Sequence, residues 1–375
     1  MPRITINAAN LHAGGVVQVA SSFLTELVNE GLETEISRIF VSSEVARNLA
    51  PSVLASRSDK FKVIDSFGIR GCGVNDKIIS RHAETVFTIF GPFYNFRRSS
   101  RNIVGFGQAW IIYPRNECYA GMSLLELWKT RLKYWIQGYF FRRADVLIVE
   151  LDHVRDGLIH ELGIPPERIR VVRNCLSSIY HDEGLWQDVT VPQVACDLRL
   201  GFLGRNYRHK NTAIFSKVAA VLAQSHGIVA RFHVTFTDAE WRACSPEFRA
   251  VCINVGPLTV AQCPSFYRQI DAVVFPSLLE CFSVAPLEAM AMERPLFASD
   301  RPFNRDICGE HAYYFDPLDA ESIAARIAEV LSGHRSDGEA LRAARNHAMN
   351  FSSPAERAEK YLAILTEDLS TTTKE

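Results

Sequence analysis

Two doubly wound α/β domains of similar size are predicted by three observations. Short, continuously apolar, β-rich runs alternate with helix-length amphipathic stretches along almost all of the 375 residues. That alternation is the pattern of parallel sheets covered on both faces. The series runs twice, broken at Ser177–Pro192, where acidic, polar and turn residues dominate. The length itself suits two domains of ordinary size.

In the first half, Arg3–Ala8 reads as a strand, followed by a Gly-containing loop and a helix over about Val17–Asn29. Ile36–Val41, Phe61–Ile64, Thr85–Phe90, Asn102–Phe106, Val146–Val149 and Ile169–Val172 read as further strands, with a long helix over Ser123–Arg143. In the second half, Leu198–Leu203, Ala230–Phe236, Val251–Val255, Asp271–Phe275, Pro295–Ala298 and Tyr313–Phe315 are strands. A helix over Thr212–Gln224 follows the first of them. Ala320–Leu331, Gly338–Met349 and Pro354–Glu367 are helical, with Ser353 placed to cap the last. The expected division is 1–176, a linker at 177–192, a second domain at 193–352, and a terminal helix and tail at 353–375.

Composition excludes several classes of function. With 41 Lys+Arg against 42 Asp+Glu, the net charge of -1 is unlike that of a chain that coats nucleic acid. Hydrophobic residues make up 47% and charged residues 22%, which rules out general disorder. No run approaches the roughly 18 apolar residues of a membrane-spanning helix. The N-terminal residues lack the layout of a signal peptide. A cytoplasmic protein is the expectation. The nine cysteines form no Cys-x-x-Cys pair, so neither a disulfide framework nor a structural zinc site is indicated. Gly-x-x-x-x-Gly-Lys-Ser/Thr, Gly-x-Gly-x-x-Gly after the first strand, Gly-x-Ser-x-Gly, His-Glu-x-x-His and Asp-x-Asp are all absent.

The chemistry is concentrated in Asp271–Ala298. A buried strand ends at Phe275-Pro276-Ser277, a loop carries Glu280 to Val284, and a helix begins near Ala285-Pro286. Amides of Phe282, Ser283 and Val284 at a helix start favour an anion. Two carboxylates beside a phosphate site, Glu280 and Glu288, make sense when they accept hydrogen bonds from sugar or ribose hydroxyls. The turn after the first strand of the second half, opened by Gly204, supplies Arg205 and Lys210. Arg205 as a fork and Lys210 as a point charge can both reach a diphosphate. Gly14-Gly15 occupies the same place in the first half and lets the backbone approach a ligand. Taken singly, each feature has an ordinary reading: a solvated Glu pair, surface charges, a turn. His12 and His209 are read as polar neighbours. In doubly wound sheets ligands bind beyond the carboxyl ends of the strands, so a cleft between the two domains is the expected site.

Between Arg97 and Arg143 there are nine Lys/Arg and two Asp/Glu, an excess of seven, interleaved with Trp110, Trp128, Trp135, Tyr134, Tyr139, Phe140 and Phe141. Two readings stand side by side. One is a basic, aromatic face resting on anionic lipid. The other is a helix packing its aromatics on the sheet with its charges outside. No nucleic-acid module accompanies the patch.

Glu280, seven residues, then Glu288-Ala289-Met290-Ala291, preceded by Phe275-Pro276-Ser277, resembles the E-x7-E region of retaining glycosyltransferase family 4. The Gly204-Arg205…Lys210 turn, the Gly14-Gly15 loop and Tyr314-Phe315-Asp316-Pro317 fall in that family's order. The resemblance spans nearly the whole chain and is strongest over about Gly201–Ser332. It implies the GT-B fold: two Rossmann-like doubly wound domains facing across a cleft, with a C-terminal helix crossing back to the first. It implies catalytic roles for Glu280, Arg205 and Lys210. It also implies donor contacts from Gly14, Gly15, Gly204, Phe282, Ser283, Val284 and Glu288. No metal and no cofactor are implied; the nucleotide diphosphate sugar is a substrate.

The sequence departs from the family's pattern at three places. The stretch Asn102–Gln108 has no histidine where many members carry one, and Cys281 and Ser283 stand at glycine positions. Arg294–Pro317 resembles bacterial surface-polysaccharide members. That implies a hexosyl or deoxyhexosyl donor, mannosyl or rhamnosyl for example, and a glycan acceptor, lipid-linked, reached by a cytoplasmic protein peripheral to the inner membrane face. The competing expectations are a nucleotide-sugar epimerase or hydrolase of the same fold and a non-catalytic nucleotide-sugar-binding module.

Overall fold

The computed structural model describes residues 3–97, 100–332 and 338–367. Two compact units result. The first comprises Met1–Pro114, Gly121–Cys175 and Ser352–Glu375, and the second Arg115–Ala120 and Leu176–Phe351.

The first unit is built on seven strands: β1 (Ile4–Ala8), β2 (Ile36–Val41), β3 (Phe61–Val63), β4 (Thr85–Thr88), β5 (Arg101–Gly105), β6 (Val146–Val149) and β7 (Ile169–Val171). They lie in the order β3-β2-β1-β4-β5-β6-β7, and every neighbouring pair is parallel. Buried on both faces, such strands need apolar side chains at successive positions, as in Val146-Leu147-Ile148-Val149. The order reverses between β1 and β4. The first helix runs Gly15–Asn29, two residues earlier than the apolar spacing suggests, because Gly14 takes a left-handed φ of 76° at its cap.

The terminal helix, Pro354–Thr366, begins at Ser353, whose hydroxyl accepts from the Glu356 amide at 3.1 Å. It packs into the core of the first unit. Tyr361 meets Phe23 and Phe87 edge-on at 5.1 and 5.2 Å. Arg357 of this helix is fully buried beside Glu150. It donates to Asn174 Oδ1 at 2.7 Å and to Ser22 Oγ at 2.9 Å. Burial pushes the Glu150 carboxyl up to about 7 against the pull of Arg357 and Asn174.

The second unit holds β8 (Leu198–Phe202), β9 (Ala230–Val234), β10 (Cys252–Asn254), β11 (Ala272–Phe275), β12 (Leu296–Ser299) and β13 (Tyr313–Phe315). Their order is β10-β9-β8-β11-β12-β13, again all parallel, and it reverses between β8 and β11. The core is rich in phenylalanine: Phe215 stacks on Phe232 at 4.2 Å and lies edge-on to Phe202 at 5.9 Å. The helix expected from Thr212 starts at Phe215, after a tight turn that begins at Asn211 with φ 53°.

Two boundaries differ from expectation. The stretch 177–192, read as a linker, folds onto the second unit: the Gln187 amide donates to Ala261 O at 2.9 Å and Gln269 Nε2 to Val189 O at 2.7 Å. Arg115–Ala120 also belongs to the second unit, because Glu117 pairs with Arg301 at 2.6 Å and Arg208 donates to the Ala120 carbonyl. Neither tie is visible locally in the sequence, since both partners are distant along the chain. Among the described residues no helix is long and apolar enough to cross a membrane.

Candidate active site

The site residues of the second unit stand at the reversal of its sheet. Because β8 and β11 are adjacent and parallel, with Ala272 opposite Leu200 and Val273 opposite Gly201, the chain segments leaving them emerge side by side. The two segments are bonded directly: the Leu278 amide donates to the His209 carbonyl at 2.7 Å. Their side chains meet as well. Lys210 Nζ lies 2.6 Å from Glu280 Oε1, with only 14% and 10% of the side chains exposed. His209 Nε2 is 3.8 Å from the same oxygen, and burial lowers its pKa against the attraction of Glu280. The Lys210 ammonium also sits 5.1 Å from the Phe275 ring centre.

Arg205 goes elsewhere. Its Nε donates to Glu240 Oε1 at 2.8 Å, and the Asn206 amide donates to the same oxygen at 3.1 Å. Glu240 is itself fixed by a reciprocal cap with Thr237, whose hydroxyl donates to it at 2.8 Å and accepts from its amide at 3.3 Å. Burial pushes the Glu240 carboxyl up, but the Thr237 amide and hydroxyl and the Arg205 guanidinium outweigh it and hold the group below the usual range. Gly204 opens this turn with φ 153°; its amide donates to Thr235 Oγ1 at 3.0 Å.

Glu288 is buried in the first turn of a helix running Ala285–Ala291. Tyr267 O–H donates to it at 3.0 Å, and burial pushes its carboxyl up to about 7 although the Tyr267 and Tyr180 hydroxyls oppose the shift. Phe282, Ser283 and Val284 are half-buried residues directly before that helix, which makes only about two turns. Cys281 is buried. A cavity of about 340 Å³ opens beside the β8 turn. It is lined by Asn206, Tyr207, Arg208, Asn211 and Thr212 of that turn, by Glu117 and Cys118, and by Leu278.

The structure thus brings Lys210 and Glu280 into contact and ties Arg205 to Glu240. It sets Glu288 against two tyrosines and leaves Gly14 and Gly15 in the first unit, at the start of its first helix. There His12 stacks on Phe67 with ring centres 4.1 Å apart, and its Nε2 lies 3.0 Å from Ser66 O. Sequence reading missed Glu240, Tyr267, Tyr180, Glu117 and Arg301. Glu240 had a local signal, since Thr237-Asp238-Ala239-Glu240 is a capping-box pattern. The others are distant partners with none.

Residues 197–333 match the family described as "Glycosyl transferases group 1". This segment resembles a group 1 glycosyl transferase domain. It contains Gly204, Arg205, Lys210, Glu280 and Glu288 together. A curated relative of this chain, the O-antigen chain mannosyltransferase RfbU of Salmonella typhimurium, is 25% identical over 130 residues. The match covers 34% of this chain and 37% of that protein, so the chain matches about a third of the relative's length. Among solved structures, a glycosyltransferase from Rickettsia africae superposes with a TM-score of 0.67 at 14% identity, covering 99% of both chains. Anabaena HepE in complex with UDP and glucose superposes with a TM-score of 0.65 at 12% identity, covering 98% of this chain and 99% of that one. These likenesses establish a GT-B glycosyltransferase fold.

Proposed function

We propose that the chain is a retaining, metal-independent glycosyltransferase. It moves a hexosyl or deoxyhexosyl unit, such as mannosyl or rhamnosyl, from a nucleotide diphosphate sugar to a lipid-linked glycan in bacterial surface-polysaccharide synthesis. The observation that carries this reading is the buried Lys210–Glu280 pair at the β8/β11 reversal, inside the matched domain. A cation and a carboxylate held together where ligands enter a doubly wound sheet suit a substrate that carries phosphate at one end and hydroxyls at the other.

In this reading Lys210 exchanges Glu280 for the donor's phosphate oxygens, and Glu280 then accepts hydrogen bonds from sugar hydroxyls. Arg205 supplies a second positive group from the same turn, and Glu288 holds the ribose. The bond between the anomeric carbon and phosphate oxygen breaks as the acceptor hydroxyl attacks from the same face. The hydroxyl's proton passes to the departing phosphate. Charge growing on the leaving nucleotide is met by fixed cations, so turnover persists in a chelator. Support for the donor class comes from HepE, solved with UDP and glucose, and for the acceptor class from RfbU, an O-antigen chain mannosyltransferase.

The test is a thermal-shift screen of the purified protein against UDP-, GDP- and dTDP-sugars. Transfer assays with the stabilising donor follow, reading the product's anomeric configuration by NMR. Stabilisation by one nucleotide class, lost in Lys210→Ala, is expected. A donor that is only isomerised or hydrolysed, or bound unchanged, would overturn the transferase reading.

A further inference from the structure

Arg205 leaves the turn after β8 with 44% of its side chain exposed, and a long side chain in that position ordinarily samples many rotamers. In this structure it is held. Its Nε donates to Glu240 Oε1 at 2.8 Å, and its guanidinium carbon lies 5.8 Å from the Tyr207 ring centre. The Asn206 amide donates to the same carboxylate oxygen at 3.1 Å. The other oxygen, Oε2, accepts from the Thr237 amide at 2.9 Å and from the Thr237 hydroxyl at 2.8 Å. Glu240, with 16% of its side chain exposed, is thus fixed by its own helix and by the turn together.

Only half of this arrangement is a helix cap. The capping box at the start of Asp238–Ala243 uses Oε2 and the Thr237 hydroxyl. Oε1 is surplus to the cap and meets the turn that carries Arg205 and Lys210. That turn is tied to the end of the same helix as well: Asn206 Nδ2 donates to Cys244 Sγ at 3.5 Å, while the Thr212 hydroxyl donates to Asn206 Oδ1 at 2.7 Å. A partly exposed ion pair adds little stability, so stability does not account for the contact. Its effect is geometric. A guanidinium anchored through Nε still has the donors of its Nη groups with which to meet phosphate oxygens.

We propose that Glu240 is a positioning residue for donor recognition: through Oε1 it sets the Asn206 backbone and aims the Arg205 guanidinium at the diphosphate, without touching the substrate. A bare carboxylate so close to a diphosphate would repel it. Glu240 is not bare, because four donors face it and one of them is a cation. The proposal deepens the donor reading and rests on it.

A double-mutant cycle tests it, read by titration calorimetry with whichever of UDP, GDP and dTDP the parent binds. Glu240→Ala should weaken binding about tenfold, the scale of one positioned charge-assisted hydrogen bond. In an Arg205→Ala background the same change should cause no further loss, whereas in Lys210→Ala it should cause its full loss. Thr237→Ala removes the cap hydroxyl and leaves Oε1 in place, so it should melt earlier but bind like the parent. Should Glu240→Ala lose its fold, Glu240→Gln takes its place in the cycle, because its single oxygen cannot accept from both sides. Loss on Arg205→Ala and Lys210→Ala, with Glu240→Ala binding like the parent, would overturn this proposal alone. An equal loss on Thr237→Ala, or a further loss in the Arg205→Ala background, would reduce Glu240 to a helix cap and overturn it. No loss on either cation variant would overturn the donor reading and this proposal with it.

Discussion

Lys210 and Glu280 form an ion pair at 2.6 Å although they are seventy residues apart, because β8 and β11 lie side by side and the Leu278 amide bonds the His209 carbonyl between them. Two charges so little exposed are costly to separate, and each is matched by the other in the absence of substrate. The pair stores a cation and an acceptor at the place where a doubly wound sheet receives its ligand.

Replacing Lys210 by Ala should therefore weaken nucleoside diphosphate binding by about 1–3 kcal/mol, the range for a lost charge-assisted hydrogen bond. Arg205→Ala should fall in the same range, and it also leaves Glu240 without its guanidinium partner. Titration calorimetry decides. Affinity unchanged in Lys210→Ala would place the diphosphate elsewhere, whereas an effect confined to Arg205→Ala would shift its site toward Glu240.

Glu280→Gln keeps the shape of the side chain but removes the charge that faces Lys210. Turnover should drop by about two orders of magnitude, the scale of losing one positioned group. Some stability should go too, by roughly 1–3 kcal/mol, as a mostly buried ammonium loses its counter-charge. Single-turnover assays and melting curves separate the two effects. Full activity in this variant would remove Glu280 from the sugar site.

Glu288 has a pKa pushed up to about 7 from an ordinary 4.5. A carboxyl whose folded pKa is raised holds its proton in the fold after the unfolded chain has released it. Its penalty is thus absent below about pH 4.5, grows towards pH 7 and is constant above, reaching on the order of 3 kcal/mol. Glu288→Gln cannot ionise, and its amide oxygen can still accept from Tyr267. The melting temperature of this variant relative to the parent should rise between pH 5 and pH 8. An equal difference at both pH values would show that Glu288 is not held protonated.

Arg357 fastens the terminal helix to the first unit through hydrogen bonds to Asn174 and Ser22. Arg357→Ala leaves the Asn174 and Ser22 oxygens without their buried donor and should cost about 1–3 kcal/mol, the range for a buried polar group left unpaired. Limited proteolysis should then cut near the start of Pro354–Thr366 first. A protection pattern like the parent's would show that Tyr361, Ile364 and Leu365 hold the helix without the arginine.

The amino-acid order alone determined the two doubly wound sheets, the segments from which the site is drawn, and the terminal helix with its Ser353 cap. These follow from burial and periodicity, which are properties of near neighbours in the chain. Tertiary structure alone decided which charges meet. Arg205 and Lys210 sit five apart on one turn, yet one is bound by Glu240 and the other by Glu280. Glu288 found Tyr267, and Arg115–Ala120 joined the second unit through Glu117 and Arg301. The helix Leu124–Arg142 makes the same point: apolar residues on both sides satisfy either orientation locally, and only the packing of Phe141 and Tyr134 determines which stripe is left facing out. Partner choice depends on what distant strands bring close, and no local pattern encodes it.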